Sequence, residues 1–183
     1  MKPGKTLLSF YAEDGQKTVL RTPKWEDVDD LLELINSLVE EGAEIYRAEK
    51  IQSREVEIDW LSRALVSLEK DEVLYMVAEV NGKVVASSDV HTLGGYDKHV
   101  GVIGIVIKKD FRNLGIGTRM MQTLVDEAKK KGLKVLTLSV FASNKHAIHV
   151  YEKVGFVQTG TIPKKHFKEG KYIDEMIMTR VLG

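Results

Sequence analysis

Apolar residues along the chain follow two spacings, which predict two kinds of secondary structure. Short, nearly continuous apolar runs indicate strands, whereas apolar residues three and four positions apart indicate amphipathic helices. The runs that predict strands are 17–21, 73–80, 83–90, 100–107, 133–140, 156–161 and 172–181. The spaced stripes predict helices over 22–39, 53–68, 118–131 and 144–155. Because helices interleave with strands, and several strands are neighbours in sequence, we expect an α/β (α+β) fold.

Short polar signals mark where several of these elements end. Thr22 followed by Pro23 predicts the N-cap and the first position of the first helix. Asn81 and Gly82 alone separate two predicted strands, a spacing typical of a two-residue hairpin. The basic segment 163–170 separates the last two strands and is predicted to be a loop. We therefore expect at least two antiparallel strand pairs.

Composition narrows the class of protein. The chain has 183 residues and is 43% hydrophobic, which fits one domain spanning 1–183. It carries 27 basic and 27 acidic residues, so its zero net charge gives no bulk attraction to nucleic acid or to an anionic membrane. The absence of cysteine excludes disulfides, thiolate metal sites and a cysteine nucleophile, and we predict no metal site. No apolar run approaches a membrane span and the N-terminus is unlike a signal peptide, so we predict a cytoplasmic protein.

A glycine-containing segment carries the clearest chemical signal. It follows the predicted strand 100–107 and opens the predicted helix 118–131. A helix start has unpaired backbone N–H groups at its positive end, and glycines let a ligand approach the backbone closely. The segment therefore predicts a phosphate-binding loop. Its residues are Arg112, Asn113, Leu114, Gly115, Ile116, Gly117 and Thr118.

Two common kinds of phosphate site do not fit this loop. A nucleoside triphosphatase P-loop has a lysine directly after its last glycine, and here Gly117 is followed by Thr118 and Arg119. A dinucleotide-binding loop has a third glycine three residues after the second, where this chain has Met120. We therefore expect a different phosphate-bearing ligand.

A second motif follows the next predicted strand. Asn144 is a good N-cap and Gly155 a good C-terminal residue for a short helix. Asn144 and Tyr151 are seven positions apart, about two helical turns at ~3.6 residues per turn, so they lie along one face. The pattern is Asn-x-x-Ala-x-x-x-Tyr-x-x-x-Gly-Phe, from Asn144 to Phe156. One side of this helix could therefore serve one ligand.

The two motifs together resemble the signatures of the GNAT superfamily, the acyl-CoA-dependent N-acyltransferases. The resemblance covers residues 18 to 183, and the tail 171–178 is similar to the ribosomal-protein N-terminal, polyamine and phosphinothricin acetyltransferase branch. It implies a mixed, mostly antiparallel sheet that splays between its fourth and fifth strands, 100–107 and 133–140, with about four flanking helices. A single N-acetyltransferase domain is expected.

The resemblance also implies a cofactor and roles for named residues. The implied cofactor is acetyl-CoA. Its pantetheine arm is expected to lie beside the strand residues Ile105, Val106 and Ile107 and to contact Asn144. Its pyrophosphate is expected to bind the amides of 112–118. Tyr151 matches the tyrosine that acts as general acid towards the leaving thiolate. A phenol has a pKa of about 10 and a thiol a pKa of about 8.5, so a tyrosine holds its proton more tightly than a thiol does. The proton transfer therefore requires that the two pKa values be brought closer together or that the transfer be concerted.

The expected reaction is direct attack of a free amine on the thioester, with an amide near Ile105 to Ile107 stabilising the oxyanion. Many relatives carry a glutamate early in the fourth strand, where this chain has Gly101-Val102-Ile103. This departure favours an α-amine, which needs less deprotonation, or a bound water relay. The candidates left for the base are His91, His99, Asp89 and Glu44, although surface polar residues usually have no catalytic role.

The acceptor is not fixed by the sequence. A peptide N-terminus, a polyamine or another small amine all remain open, as do the acyl length and the oligomeric state, for which a homodimer is one alternative. An acidic segment, Glu40, Glu41, Glu44 and Glu49, could attract a cationic amine or be an ordinary exposed helix end. Two other classes of function also stay open: a catalytically silent acyl-CoA-binding sensor and a protein-interaction module.

Overall fold

A computed structural model describes residues 1–45 and 50–183 of the chain. Its strands are β1 (Thr6–Tyr11), β2 (Lys17–Arg21), β3 (Val73–Val80), β4 (Lys83–Thr92), β5 (Val100–Ile107), β6 (Val135–Phe141), β7 (Val157–Lys168) and β8 (Lys171–Val181). Its helices are α1 (Val28–Glu40), α2 (Arg54–Glu69), α3 (Ile116–Lys130) and α4 (Lys145–Lys153). Single 3-10 turns occupy Trp25–Asp27, Gly95–Asp97 and Lys109–Phe111.

The strands form one sheet in the order β1-β2-β3-β4-β5-β6-β8-β7. Neighbouring strands are antiparallel except β5 and β6, which are parallel. The β5–β6 ladder contains only the pairs Val100–Val135, Gly101–Leu136 and Val102–Thr137. Beyond these pairs the two strands separate. The predicted mixed sheet, splayed between the strands at 100–107 and 133–140, is confirmed. These are the fifth and sixth strands, and not the fourth and fifth, because β1 precedes the strands that were predicted.

Helices cover both faces of the sheet, which gives two apolar cores. α3 and α4 pack on one face through Met120, Leu124, Val125 and other buried residues. α1 and α2 pack on the other face, where Leu31, Ile35, Leu61 and Leu68 are fully buried. None of the helices in the described part of the chain is long and apolar enough to cross a membrane.

The β3–β4 hairpin forms as its sequence predicts. Asn81 and Gly82 have φ angles of 50° and 75°. Two consecutive positive φ angles are the geometry of a type I′ turn, which matches the twist of the flanking strands. The turn pairs Val80 with Lys83. An irregularity between Ala78 and Glu79 then shifts the register by one residue, which places Tyr75 opposite Asp89.

The N-terminal segment differs from the prediction. Residues Thr6–Tyr11 form β1, which pairs with β2 across the turn that was predicted at 13–15. Thr22 does not cap the first helix, because its hydroxyl accepts a hydrogen bond from Lys5 N and donates to Lys2 O. The chain instead enters α1 through the 3-10 turn Trp25–Asp27, and Asp27 accepts from Lys24 N. Thr22 is thus used to hold the N-terminal segment against β2.

The segment 163–170 is also mostly strand and not loop. β7 continues to Lys168 and turns through Glu169 and Gly170 into β8. Pro163 lies where the register shifts between Ile162 and His166, as expected for a residue without an N–H on an edge strand. The predicted loop at 40–54 includes residues 46–49, among them Glu49, which lie outside the described residues.

Candidate functional site

The separation of β5 from β6 opens a cleft of about 1480 Å³. We call the space between the two diverging strands the wedge. The cleft extends from the glycine loop, past the wedge, to the side of the sheet that carries α1 and α2. Ten of the predicted site residues line it: Ile105, Val106, Ile107, Arg112, Asn113, Gly115, Gly117, Thr118, Asn144 and Tyr151. Leu114 and Ile116 do not line it, and Ile116 is 1% exposed in the core.

The edge of β5 that faces the wedge is defined by its hydrogen bonds to β4. Leu93 N donates to Val100 O, and Lys108 N donates to Val85 O. In an antiparallel pair hydrogen-bonded residues alternate, so the even-numbered residues of β5 bond to β4. The N–H groups of Ile105 and Ile107 therefore point to the opposite edge, into the wedge. No strand of the described residues pairs with that edge beyond Val102.

The glycine loop ends in an open helix start. Asn113 and Gly115 have φ angles of 62° and 77°, and Gly115 is the N-cap of α3. Arg119 N donates to Gly115 O, which is the first helical bond. The N–H groups of Ile116, Gly117 and Thr118 precede it and have no carbonyl four residues earlier within the helix. These three N–H groups lie at the positive end of the helix dipole and can hold an anion. The backbone N–H groups around Asn113 and Gly115, where φ is positive, can do the same.

Position 117 packs closely against the side chain of Ile107. A Cβ built on Gly117 would lie 2.9 Å from Ile107 Cδ1, closer than real Cβ atoms come to other atoms. The first turn of α3 therefore packs directly on the end of β5. This contact brings the helix start and the open edge of β5 to the same part of the cleft.

Arg112 fixes the loop to two other elements. Its Nε donates to Ile107 O at 3.0 Å, and its guanidinium forms an ion pair with Glu41, which directly follows α1. The carbonyl of Ile107, which faces the wedge, therefore already accepts a hydrogen bond. The Arg112 side chain thus links strand, loop and helix, and only its remaining exposed surface is available to a ligand.

The turn before β2 also supports the loop, which the sequence did not indicate. Glu13 N donates to Leu114 O at 3.1 Å, and Glu13 lines the cleft beside Gly115. This contact depends on β1, because β1 and β2 hold the turn in place. The only sequence signal for it was the apolar group Leu7, Leu8 and Phe10.

Helix α4 has the predicted ends and borders the cleft. Asn144 Oδ1 accepts from Ala147 N at 3.1 Å, and Gly155 follows the helix with φ of 83°. The predicted N-cap is confirmed. Cationic or titratable side chains of this helix that line the cleft are Lys145, His146, His149 and Lys153.

Tyr151 faces the cleft from the inner side of α4. It is 8% exposed and packs near Phe156, with ring centroids 6.3 Å apart. Burial raises the pKa of Tyr151 to about 12, because the interior disfavours the phenolate. The hydroxyl is therefore protonated at neutral pH and can only donate or accept hydrogen bonds as a neutral group.

The four candidates for a base divide into two groups. Asp89, His91 and Glu44 line the cleft, whereas exposed His99 does not. His91 Nε2 lies 2.8 Å from Asp89 Oδ2. This hydrogen bond with Asp89 raises the pKa of His91, because the carboxylate stabilises the imidazolium. Glu44 accepts a hydrogen bond from Ser143 at 2.7 Å.

A buried carboxylate at the far side of the cleft was missed. Glu175 is 2% exposed and pairs with Lys165 at 2.9 Å and with His166 at 3.3 Å. The His166 ring stacks on Phe141 at a centroid distance of 4.0 Å. All three charged or titratable residues line the cleft. The signal that could have found Glu175 is its position within the apolar run 172–181, where a carboxylate must have a partner.

Comparison with known proteins identifies similar sequences. The model of the family described as Acetyltransferase (GNAT) matches residues 31–156. A protein named an uncharacterized N-acetyltransferase, from Methanocaldococcus jannaschii, is 31% identical over 141 residues, which are 75% of this chain and 59% of that protein. The ribosomal protein bS18-alanine N-acetyltransferase of Escherichia coli is 28% identical over 127 residues, covering 69% of this chain and 83% of that enzyme. For three of the curated relatives the match spans 47% to 61% of their length.

Solved structures share the fold. An acetyltransferase from Salmonella typhimurium, solved with its cofactor acetyl-CoA, superposes with a TM-score of 0.79 at 18% identity. The alignment covers 91% of this chain and 94% of that chain. At this identity the similarity concerns the arrangement of helices and strands.

Proposed function

Because the chain belongs to the Acetyltransferase (GNAT) family, we propose that it transfers an acetyl group from acetyl-CoA to a primary amine. One observation carries this proposal. The open edge of β5 and the open start of α3 meet at one end of the cleft. An extended amide-containing arm joined to a diphosphate needs this combination of partners.

The residues present fit coenzyme A in three places. The wedge edge of β5 can pair with the pantetheine amides as an added strand would, beside Ile105, Val106 and Ile107. The loop 112–118 offers its amides to the pyrophosphate, and Asn144 lines the same cleft. The cationic side chains of α4 can face the remaining phosphate. Bound acetyl-CoA supplies the activated acetyl group.

The oxyanion role falls to β5 in this proposal. The amide hydrogen of Ile105 or Ile107 points into the wedge and has a fixed direction because the rest of β5 is bonded to β4. Such a preset donor stabilises negative charge as it develops on the thioester oxygen. The amine lone pair forms the new C–N bond while the C–S bond breaks.

Tyr151 is proposed as the donor to the departing sulfur. Its hydroxyl keeps its proton across the neutral range because burial raises its pKa to about 12. A donor with so high a pKa stabilises the thiolate mainly through a hydrogen bond. The sulfur takes the Tyr151 proton while the phenol oxygen regains the proton that the attacking nitrogen loses, so the hydroxyl ends the step neutral.

The proposed acceptor is an amine that is partly unprotonated near neutral pH. An α-amino group, with a pKa of about 7.7–8.0, meets this condition far better than a lysine-like amine at about 10.4. The similarity to an enzyme named for alanine of ribosomal protein bS18 supports a peptide N-terminus as one acceptor. Cytoplasmic location, lack of nucleic-acid or membrane partners, and a homodimer remain predictions.

Coenzyme binding and acetyl transfer are tested separately. Calorimetric titration with coenzyme A should give saturable binding that is strongly weakened when pantetheine replaces it. Release of free thiol from acetyl-CoA should then require an added amine, in a panel of peptides with free N-termini, polyamines and amino acid amides. Binding without any transfer would support the silent sensor, and no binding would contradict the proposal.

A further inference from the structure

Asp89 lies beside the position proposed for the reacting carbonyl. It is opposite Gly104 in the β4–β5 pair, and Gly104 directly precedes Ile105. Tyr75, its partner on β3, belongs to the core under α1 and α2, so Asp89 projects on that face of the sheet. Helix α4 packs on the opposite face. The Asp89 carboxylate therefore approaches the wedge from the side away from the α4 cations.

Glycine at position 104 leaves this carboxylate uncovered. A Cβ built on Gly104 would lie 3.8 Å from Asp89 Oδ1, so a longer side chain would stand between the carboxylate and the cleft. Asp89 lines the cleft, and its side chain is 28% exposed. His91 holds the other oxygen, Oδ2, at 2.8 Å. Among the described residues no further ion-pair partner of Asp89 is present.

Outside α4, each described lysine, arginine or histidine side chain that lines the cleft is paired with a carboxylate, as His91 is with Asp89. Lys165 and His166 both contact the buried Glu175. Arg112 is paired with Glu41. Asp89 is therefore a carboxylate that lines the cleft beside the wedge without a lysine or arginine in ion-pair contact among the described residues. Exposed Arg63 of α2 lines a small adjoining pocket with Asp89 but forms no ion pair with it.

On the basis of the proposed acetyl transfer, we propose that Asp89 selects the acceptor by charge. It admits amines without a carboxylate next to the amino group, such as peptide N-termini, amino acid amides and polyamines. It rejects free amino acids, because their α-carboxylate would lie within a few ångströms of Asp89 in a site partly shielded from water. Like charges at such a distance repel strongly where solvent screening is weak.

Alanine and alaninamide form a pair for the test because only alanine carries that carboxylate. The carboxylate also raises the pKa of the alanine amino group, so the contribution of Asp89 is measured as the change in preference between wild type and variant at one pH. We expect kcat/KM to be at least about tenfold higher for alaninamide than for alanine, where tenfold corresponds to about 1.4 kcal/mol. Asp89→Asn should reduce this preference about tenfold, while Asp89→Glu should keep most of it. The control Asp126→Asn, on the exposed face of α3 with Gln122 as its contact, should leave it unchanged.

The outcomes separate this inference from the proposed function. A preference that is unchanged in Asp89→Asn, with coenzyme A affinity also unchanged, would overturn the role of Asp89 alone. A wild-type preference for alanine over alaninamide would overturn it as well. Absence of transfer to every amine tested would instead contradict the proposed function, and the inference with it. Coenzyme A titration of each variant shows whether the fold and the cofactor site are retained.

Discussion

Gly117, at the start of α3, and Ile107, at the end of β5, are in close contact, so a side chain at position 117 requires the Ile107 side chain to move. A Cβ on Gly117 would lie 2.9 Å from Ile107 Cδ1. We expect Gly117→Ala to weaken coenzyme A binding by about threefold to tenfold, because the Ile107 side chain must shift and it lies beside the strand edge and the helix start proposed to hold the cofactor. Titration with coenzyme A measures the loss.

The same contact offers a second-site test. Ile107→Val removes Cδ1, so the double variant should recover part of the affinity that Gly117→Ala loses. Gly94→Ala is the control, because a Cβ there meets nothing within 4 Å. Equal affinity of Gly117→Ala and wild type would contradict this prediction and show that Ile107 moves aside without disturbing the cofactor site.

Tyr151 should matter for turnover and little for binding. Tyr151→Phe removes the buried hydroxyl and keeps the ring that packs near Phe156. We expect kcat to fall about 10²-fold or more, the lower end of the range for loss of a positioned acid. The dissociation constant of coenzyme A should change less than about threefold. Stopped-flow measurement of thiol release gives kcat, and an unaltered kcat would remove Tyr151 from the mechanism.

His91 should make acceptor selection depend on pH. Its pKa is raised above the ordinary value of 6.5 by the hydrogen bond with Asp89. Below that raised pKa the imidazolium offsets the Asp89 charge. As the pH rises through it, the offset is lost and the preference for alaninamide over alanine should grow. Three residues of other elements lie beside the His91–Asp89 pair: Tyr75 of β3, Arg63 of α2 and the uncharged Val102 of β5.

The measurement is the ratio of the two kcat/KM values between pH 5.5 and 8.5, a range of about one unit below to two above the reference value of about 6.5. The change in ratio should have its midpoint above 6.5 in wild type and be absent in His91→Asn. Dividing the wild-type ratio by the variant ratio at each pH cancels the titration of the amines. The same pH dependence in both proteins would show that His91 is not the titrating group.

Arg21 and Asp27 form a buried ion pair that should dominate local stability. The two charged groups meet in two hydrogen bonds of 2.7 and 2.8 Å, with side chains 7% and 4% exposed. Asp27→Ala leaves the Arg21 charge with only Glu79 as its acid partner and should cost about 3–5 kcal/mol of unfolding free energy. Asp29→Ala, which breaks the exposed pair with Arg54, is the control and should change stability little. Urea unfolding compares them.

Features set by local sequence were predicted well. The Asn81-Gly82 turn and the Asn144 cap each depend on the conformational preferences of one or two residues, and both occur as expected. The glycine loop was found for the same reason. Its position beside the open edge of β5 was implied by the resemblance to the GNAT superfamily, and its binding of phosphate stays a prediction.

Features set by distant partners were not predicted. Thr22 looks like a cap in sequence, but Lys2 and Lys5 use its hydroxyl instead. β7 has the composition of a loop because most of its side chains face solvent on an edge strand, so its strand character comes from pairing with β8. Pairs such as Asp89 with Gly104 depend on register across the sheet, which no local pattern contains.

The separation of β5 from β6 means that the proposed cofactor surface is largely main chain. Replacing the side chain at 105 or 107 leaves its amide hydrogen in place, and only proline removes it. Saturation mutagenesis along this strand should therefore find broad tolerance to apolar exchange and a sharp loss with proline. A surface of this kind can keep its ligand while most of the side chains around it are replaced. The opposite wall of the cleft is then free to change and to accept new amines.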